Sequence, residues 1–169
     1  GIWNSYTLNI QNGSTIGGAG AGNQATANGG GIFTVFASTT TVTDSRILYN
    51  TATNNGGGVY NDFNFPWATN VTASCIVGNS VTSFLNNQAA QQTATGNWWG
   101  TATGPNTPGA DTTGGNVDTS GFLTAPILGC PANYPDLQVS KTNDTAGNGT
   151  VGTAFNWTLT VANPGAANA

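Results

Sequence analysis

Charged residues are the scarcest component of this sequence. Its 169 residues include two cations, Arg46 and Lys141, and six acids that are all aspartate, with no histidine, methionine or glutamate. Two cations cannot follow a phosphate backbone or an anionic lipid surface, which excludes nucleic acid and anionic membranes as partners. No apolar run approaches the roughly 18 residues of a membrane-spanning helix, so we expect no membrane span.

The charged helix-forming residues are also rare. Asparagine, threonine, glycine and serine contribute 23, 28, 25 and 9 residues, which is half of the chain. The missing glutamate and the single lysine and arginine remove the residues that give helices their propensity and their i,i+4 pairs. We therefore expect an all-β protein. Its 5 Trp, 4 Tyr and 7 Phe, with many valines and isoleucines, favour a packed core over disorder.

Cys75 and Cys130 are the only cysteines. An even pair in a composition of this kind fits an oxidising compartment and hence an extracellular or cell-surface location. The usual four zinc ligands are missing, so we predict neither a metal nor a cofactor. The sequence leaves two alternatives for the pair, a disulfide or two unpaired thiols. Because the chain opens with Gly1-Ile2-Trp3 and has no methionine, we expect it to be a processed or excerpted piece of a longer polypeptide.

Two internal repeats run through the first half of the chain. NQATANGGGI at 23–32 matches NTATNNGGGV at 50–59 in seven of ten positions, and VTDSRILYN at 42–50 resembles VTASCIVGN at 71–79. The offsets of 27 and 29 define one unit of about 28 residues. Stacked units with a tight GGG turn are typical of a parallel β-helix, in which a single turn cannot bury its inner face alone.

The repeated segment 42–48 predicts which side chains face the core. If it is one strand, its residues alternate between two faces. Asp44 and Arg46 then share the outer face, where we expect a surface ion pair. Thr43, Ser45 and Ile47 share the inner face, and the equivalent residues of the next repeat stack directly above them.

The spacing I-x-x-N, from Ile47 to Asn50 and from Ile76 to Asn79, together with GGGI and GGGV, resembles the polymorphic-membrane-protein type of right-handed β-helix. Such helices occur in surface-exposed bacterial proteins. The segment Asn97-Trp98-Trp99-Gly100, with the residues that follow to Ile127-Leu128, is similar to the closing segment of pectin-lyase-like β-helices. This resemblance implies a right-handed parallel β-helix over 1–130, closed by 97–130.

The tail changes character after a linker at 131–135. Its alternating apolar residues predict two antiparallel strands within 136–169. The wording D-L-x-V-x-K-T, followed by F-x-W-T-L-T-V-x-N-P-G, resembles the start of the Ig-like repeats of bacterial cell-surface proteins. Such an incomplete sheet needs more strands, from a continuing chain or from a neighbouring subunit by strand addition. The candidate assembly residues are Leu137, Val139, Phe155, Trp157, Leu159 and Val161.

Candidates for catalysis are few. Many pectin-lyase-like β-helices cleave polysaccharides, and that chemistry requires a base or a carboxylate pair in a groove. Asp62, which follows a GGG turn, is better explained as an Asx-turn residue than as a calcium ligand. Asp111 and Asp118 lie in a Gly/Thr-rich loop, where we expect them to serve solubility and turn formation. We therefore predict no catalytic residues and no enzyme.

Aromatic residues offer a candidate binding face. Phe33 and Tyr60 each follow an inward residue after a GGG turn, so both should stand outward as a two-step ladder. Sugar rings and partner proteins both bind to such ladders. The alternative is that the insertion 61–70, which contains Phe63, Phe65 and Trp67, folds over the ladder and buries it.

The remaining candidates are structural. Trp98 and Trp99 should plug the open end of the helix. Cys75 occupies the outward position equivalent to Arg46, so it can reach a segment that runs outside the coil. We expect Cys130 to lie on such a segment. We predict a non-enzymatic extracellular structural or adhesive surface protein, a filament-forming subunit whose C-terminal strands self-associate. The alternative is a carbohydrate-binding or polysaccharide-degrading β-helix, with surface glycans as partners.

Overall fold

The computed structural model describes residues 1–36, 38–62, 68–127, 129–131, 138–144, 154 and 156–162. The described residues form strands, turns and loops with no helix, which confirms the all-β expectation. The chain divides into two compact units, Gly1–Asn133 and Tyr134–Ala169. The first is a parallel β-solenoid of about four turns, and the second contains a two-stranded antiparallel sheet.

Three parallel sheets and one short strand pair form the solenoid. The chain visits them in a fixed order, and each successive turn adds one strand to the first and to the second sheet. The first sheet contains β1 (Ile2–Asn4), β5 (Ile32–Thr34), β9 (Val59–Asn61), β12 (Phe84–Asn86) and β14 (Thr113–Gly114). The second contains β2 (Thr7–Ile10), β6 (Thr39–Thr43), β10 (Thr69–Thr72), β13 (Gln92–Thr93) and β15 (Val117–Asp118). The third contains β3 (Thr15–Gly17), β7 (Arg46–Leu48) and β11 (Cys75–Val77), and the pair is β4 (Gln24–Ala25) with β8 (Thr51–Ala52).

The register of the strands confirms the predicted repeat. Ile32 pairs with Val59 and Ile47 pairs with Ile76, so equivalent residues of successive repeats stack on one another. Apolar side chains from successive strands of the sheets fill the solenoid interior. These core residues are Ile16, Ile32, Val42, Ile47, Val59, Val71, Ile76, Phe84, Ala94 and Trp99.

The GGG turn is required by close backbone packing. Its first glycine, Gly29 or Gly56, has a positive φ of 70° or 65°, a region that side chains other than glycine enter at a cost. A Cβ on the second glycine, Gly30 or Gly57, would overlap backbone carbonyl oxygens of the neighbouring turn. Glycine therefore lets the turns of the solenoid approach closely at this corner.

The segment 42–48 is not one strand, which corrects the predicted alternation. The chain turns a corner at Asp44, whose φ is 46°, and the segment divides into β6 and β7. The corner shifts the alternation, so Val42 is buried while Thr43 is only partly buried. Ser45 and Ile47 do face inward, as expected, but Asp44 and Arg46 do not lie on one strand face.

The last turn of the solenoid is closed by 97–131. β14 and β15 add a final partial turn, and Trp99 fills the interior above the core. Trp98 faces the opposite way and packs outside the third sheet, so only one of the two tryptophans acts as the predicted plug. Residues 122–127 and 129–131, which we call the strap, include Leu123, Ile127 and Cys130 packed on that outer face. Leu128 lies outside the described residues.

The second unit consists of β16 (Gln138–Asn143) and β17 (Trp157–Ala162). They pair antiparallel, with Val139 opposite Val161 and Asn143 opposite Trp157, as the tail predicted. Leu137 and Phe155, two of the candidate assembly residues, lie outside the described residues.

Candidate functional sites

Three aromatic rings stack on the outer face of the first sheet. Trp3, Phe33 and Tyr60 occupy equivalent positions on β1, β5 and β9. The rings of Phe33 and Tyr60 are parallel, with centroids 5.1 Å apart, and those of Trp3 and Phe33 are 4.7 Å apart with a 34° tilt. The predicted ladder therefore has a third member, Trp3, which sequence reasoning missed because the first turn lacks the GGG signature.

Exposure falls along this aromatic ladder. Trp3 is 67% exposed, Phe33 is partly buried and Tyr60 is only 6% exposed. Burial, and then the carboxylate of Asp62, raise the pKa of the Tyr60 hydroxyl, which accepts a hydrogen bond from Asn87 at 3.4 Å. Tyr60 is therefore the buried end of the aromatic stack, and the solvent-accessible rings are those of Trp3 and Phe33. Phe63, Phe65 and Trp67 lie outside the described residues.

An open groove of about 440 Å³ lies beside Trp3 and Phe33. Its other side is the segment Gln24–Gly30, which ends in the first GGG turn. The lining residues include Gln24, Thr26 and Asn28. The Oδ1 atom of Asn28 is buried and accepts no hydrogen bond from the residues that the structure describes.

A ladder of asparagines runs along the corner that follows the third sheet. Asn23, Asn50 and Asn79 stack one turn apart, and each donates from its backbone N–H and its Nδ2 to the side-chain oxygen above. These bonds are 2.8–3.0 Å long. The Nδ2 groups of Asn50 and Asn79 also donate to the carbonyls of Ile16 and Ile47. This ladder explains the I-x-x-N motif, because the asparagine satisfies backbone groups at a buried corner.

Asp111 ends the asparagine ladder. Its Oδ2 accepts from both the N–H and the Nδ2 of Asn79, as an asparagine Oδ1 does in the turns below. Its Oδ1 accepts from the N–H of Gly78 at 2.8 Å. The equivalent N–H of Tyr49 donates to the carbonyl of Val77 one turn above, so the second carboxylate oxygen replaces a backbone carbonyl. The expectation that Asp111 serves solubility in a loop was wrong.

Burial dominates the electrostatics of Asp111. Loss of solvent raises the pKa of its carboxyl, while the hydrogen bonds from Asn79, Ser83 and Gly78 act in the opposite direction. Asp118, in contrast, has a lowered pKa because the backbone and side chain of Ser120 donate to it. Asp118 therefore behaves as the turn residue that its sequence context predicted.

A disulfide joins Cys75 to Cys130 and holds the strap on the third sheet. Cys75 pairs in register with Arg46, so its side chain lies on the outer face. It is buried there beneath the strap, in a second apolar cluster with Leu48, Val77 and Trp98. The indole Nε1 of Trp98 donates to the carbonyl of Pro131 at 2.9 Å.

The C-terminal strand pair has one apolar and one polar face. Val139, Val161, Leu159 and Trp157 alternate with threonines and serine in the paired register, so they share one side of the sheet. These four side chains are 50–64% exposed. The ammonium of Lys141 lies 4.0 Å from the centre of the Trp157 ring, a cation–π contact on the same face.

Arg46 donates to the carbonyl of Gly13 at 2.9 Å and to Thr15 at 3.4 Å. The described residues contain no group of three or more histidines, cysteines and acids that could hold a metal ion. Nor does any helix among them have the length and apolar character needed to cross a membrane.

Comparisons with known proteins place the chain in no family. No family model matches it, and neither the curated proteins nor the solved structures contain a significant match.

Proposed function

We propose that this protein is a non-enzymatic structural or adhesive protein of the extracellular surface, a filament-forming subunit that associates through its C-terminal strands. The observation that carries the proposal is the amphipathic sheet of β16 and β17. A two-stranded sheet is marginal in water by itself, and its four exposed apolar side chains are the kind of surface that further strands cover. Strand addition by a neighbouring copy would complete it.

The solenoid supports a structural role. Its corners are held by buried amide and hydroxyl groups, and the chain has only eight charged side chains. Stability that depends little on charge is insensitive to salt, which suits an exterior environment. The disulfide that holds the strap supports an oxidising location.

Resemblance to known families of surface proteins also supports this proposal. The GGG and I-x-x-N motifs resemble right-handed β-helices of the polymorphic-membrane-protein and pectin-lyase-like types, and the tail resembles the start of an Ig-like repeat. Both occur in surface-exposed bacterial proteins, which agrees with an adhesive or structural function.

Native size measured by light scattering, with negative-stain microscopy, tests the proposal at low and high salt. We expect regular filaments, or at least a mass several times 17.0 kDa, that persist in salt because the contact is apolar. Leu159→Thr with Val161→Thr should abolish association. Thr158→Ser with Thr160→Ser, on the opposite face of β17, is the matched control. A monodisperse 17.0 kDa particle under both conditions would overturn the assembly.

A further inference from the structure

The strap joins the solenoid to the second unit. It follows β15 in the chain, and Cys130 lies near its end, shortly before the second unit begins at Tyr134. Every pull between the two units is therefore transmitted through the residues that follow Cys130. The resistance to such a pull depends on how the strap and the last turn are attached to the rest of the solenoid.

The noncovalent contacts of the strap can be broken in sequence. None of its described residues belongs to a strand, and its side chains on the outer face of the third sheet, such as Leu123 and Ile127, are only partly buried. The N–H of Leu123 donates to the carbonyl of Asn97, and the Nε1 of Trp98 donates to the carbonyl of Pro131, both at 2.9 Å. A pull at Pro131 would load these contacts one after another. Segments with few buried contacts open at low free energy.

The last turn resists little more once the strap is detached. β14 and β15 lie at the edges of their sheets among the described residues. Each pairs through two residues with a single neighbouring strand, β12 or β13. Because a solenoid is stabilised by contacts between neighbouring turns, a pull from this end would unravel it one turn at a time.

The disulfide is attached at a much firmer point, between two turns. Cys75 is fully buried, and its N–H donates to the carbonyl of Ser45 in the turn below at 2.9 Å. The N–H of Ile76 donates to the carbonyl of Trp98 in the turn above, also at 2.9 Å. Ser74 is held from both sides as well, since its Oγ accepts from the N–H of Ser45 and its carbonyl accepts from the N–H of Trp98. To draw this segment out, contacts with two turns must break together.

We propose that the disulfide between Cys75 and Cys130 is a mechanical bypass, which carries tension from the second unit into β11 and leaves the strap and the last turn unloaded. The bonded residues are 55 apart in sequence, so the covalent loop 76–129 lies outside the path of the force. Trp99 and Asp111 belong to this loop. The closing segment therefore stays in place over the core while the protein is under tension.

The inference rests on the proposed surface role, because a structural or adhesive protein is pulled by what it joins. It gives the disulfide a role beyond equilibrium stability. The bond determines which part of the solenoid resists the pull, and its reduction would change the order in which the parts open.

Stretching of the full chain with optical tweezers tests the inference. Handles are attached through p-azidophenylalanine in place of Asn54 and Ser140, two exposed residues, one before Cys75 and one after Cys130. The oxidised protein should open at high force without earlier lengthening. Reduction frees the covalent loop, which can lengthen by about 190 Å, from 55 residues at about 3.4 Å each. Part of this length should appear at lower force, before the main event.

Val71→Ala is the matched control for a general loss of stability. Val71 is a buried core residue of β10, and its truncation leaves a cavity that destabilises the solenoid but keeps the disulfide. The main event should move to lower force, with no early lengthening before it. Cys75→Ser with Cys130→Ser should lengthen early with or without reductant. Circular dichroism should show both variants folded, and reduction of the folded wild type on the instrument gives the same comparison without a variant.

Two results would overturn the inference: the oxidised protein lengthens early as the reduced protein does, or the reduced protein releases the extra length only in the main event. Light scattering separates this failure from that of the proposed assembly, since association depends on β16 and β17. A monodisperse protein that shows both force patterns would overturn the assembly alone. Filaments whose subunits open in the same way in both redox states would overturn the bypass alone.

Discussion

At the corners of the solenoid, single residues in left-handed backbone conformation determine where the chain turns. Gly29, Gly56 and Val81 each lie three residues before the paired positions Ile32, Val59 and Phe84. All three have positive φ, with values of 70°, 65° and 55°. The first two are glycines, whereas a β-branched residue in this region is strained.

We expect Val81→Gly to stabilise the protein by about 1 kcal/mol, because relief of left-handed strain exceeds the entropy that glycine loses on folding. Val81 is 52% exposed, so little packing is lost. Urea unfolding measures the change. Thr82→Gly, at the next residue, where φ is not positive, should instead destabilise by about 0.5–1 kcal/mol. Equal destabilisation by both substitutions would contradict the strain argument.

The end of the asparagine ladder makes stability depend on pH. Burial raises the pKa of Asp111 above the usual 3.8, so the native state binds a proton more readily than the unfolded chain. Its contribution to stability is therefore full below pH 3.8 and is lost as the pH rises through the native pKa. Asp111→Asn cannot titrate. The stability of the wild type relative to this variant should fall as the pH rises above 3.8, as measured by urea titrations.

Asp118→Asn provides the opposite control. The lowered pKa of Asp118 gives a contribution that is present above pH 3.8 and is lost as the pH falls. The wild type should therefore gain stability relative to this variant as the pH rises. If the wild type also gained stability relative to Asp111→Asn as the pH rises, the hydrogen bonds to the Asp111 carboxylate would outweigh the effect of its burial.

The strap is an element that a single covalent bond holds in place. Cys75 and Cys130 are 55 residues apart in sequence, and the chain-entropy model assigns about 4 kcal/mol to a loop of that length. Reduction should therefore lower the free energy of unfolding by about 2–4 kcal/mol. Urea unfolding with and without reductant measures it. Cys130→Ser should have the stability of the reduced wild type and should not respond to reductant. An unfolding free energy of the wild type that does not change on reduction would contradict the prediction.

The elements that the sequence predicted are those that repeat. Ile47 and Ile76, or the two GGG turns, are similar in sequence because they make the same contacts in successive turns. The corner at Asp44 was missed because the alternating residue pattern of 42–48 continues through the position where the backbone turns. Asp111 was missed because it completes the ladder with a different residue type, within a loop that has no repeat. The roles of Trp98 and Trp99 depend on which face of the solenoid each side chain occupies. Two adjacent tryptophans in the sequence do not show which of them faces the interior.

For the molecule as a whole, contacts between neighbouring turns dominate, as in other solenoids. Each turn pairs with the one below and the one above through equivalent positions. The last turn is closed by Trp99, Asp111 and the strap. Stability should therefore scale with the number of turns, and an internal turn should be dispensable when the register is kept.

Deletion of Asn23–Tyr49 tests this view, because Asn23 and Asn50 are 27 residues apart at equivalent positions. The shortened chain would place Ile2 on Val59, Ile16 on Ile76 and Gly1 beside Asn50, with the disulfide and the closing segment intact. We expect a folded β-protein that unfolds cooperatively at a lower temperature, measured by circular dichroism. Deletion of residues 23–36, about half a turn, would put polar corner residues into the core and should prevent folding. If both deletions failed alike, the turns would depend on contacts beyond their neighbours.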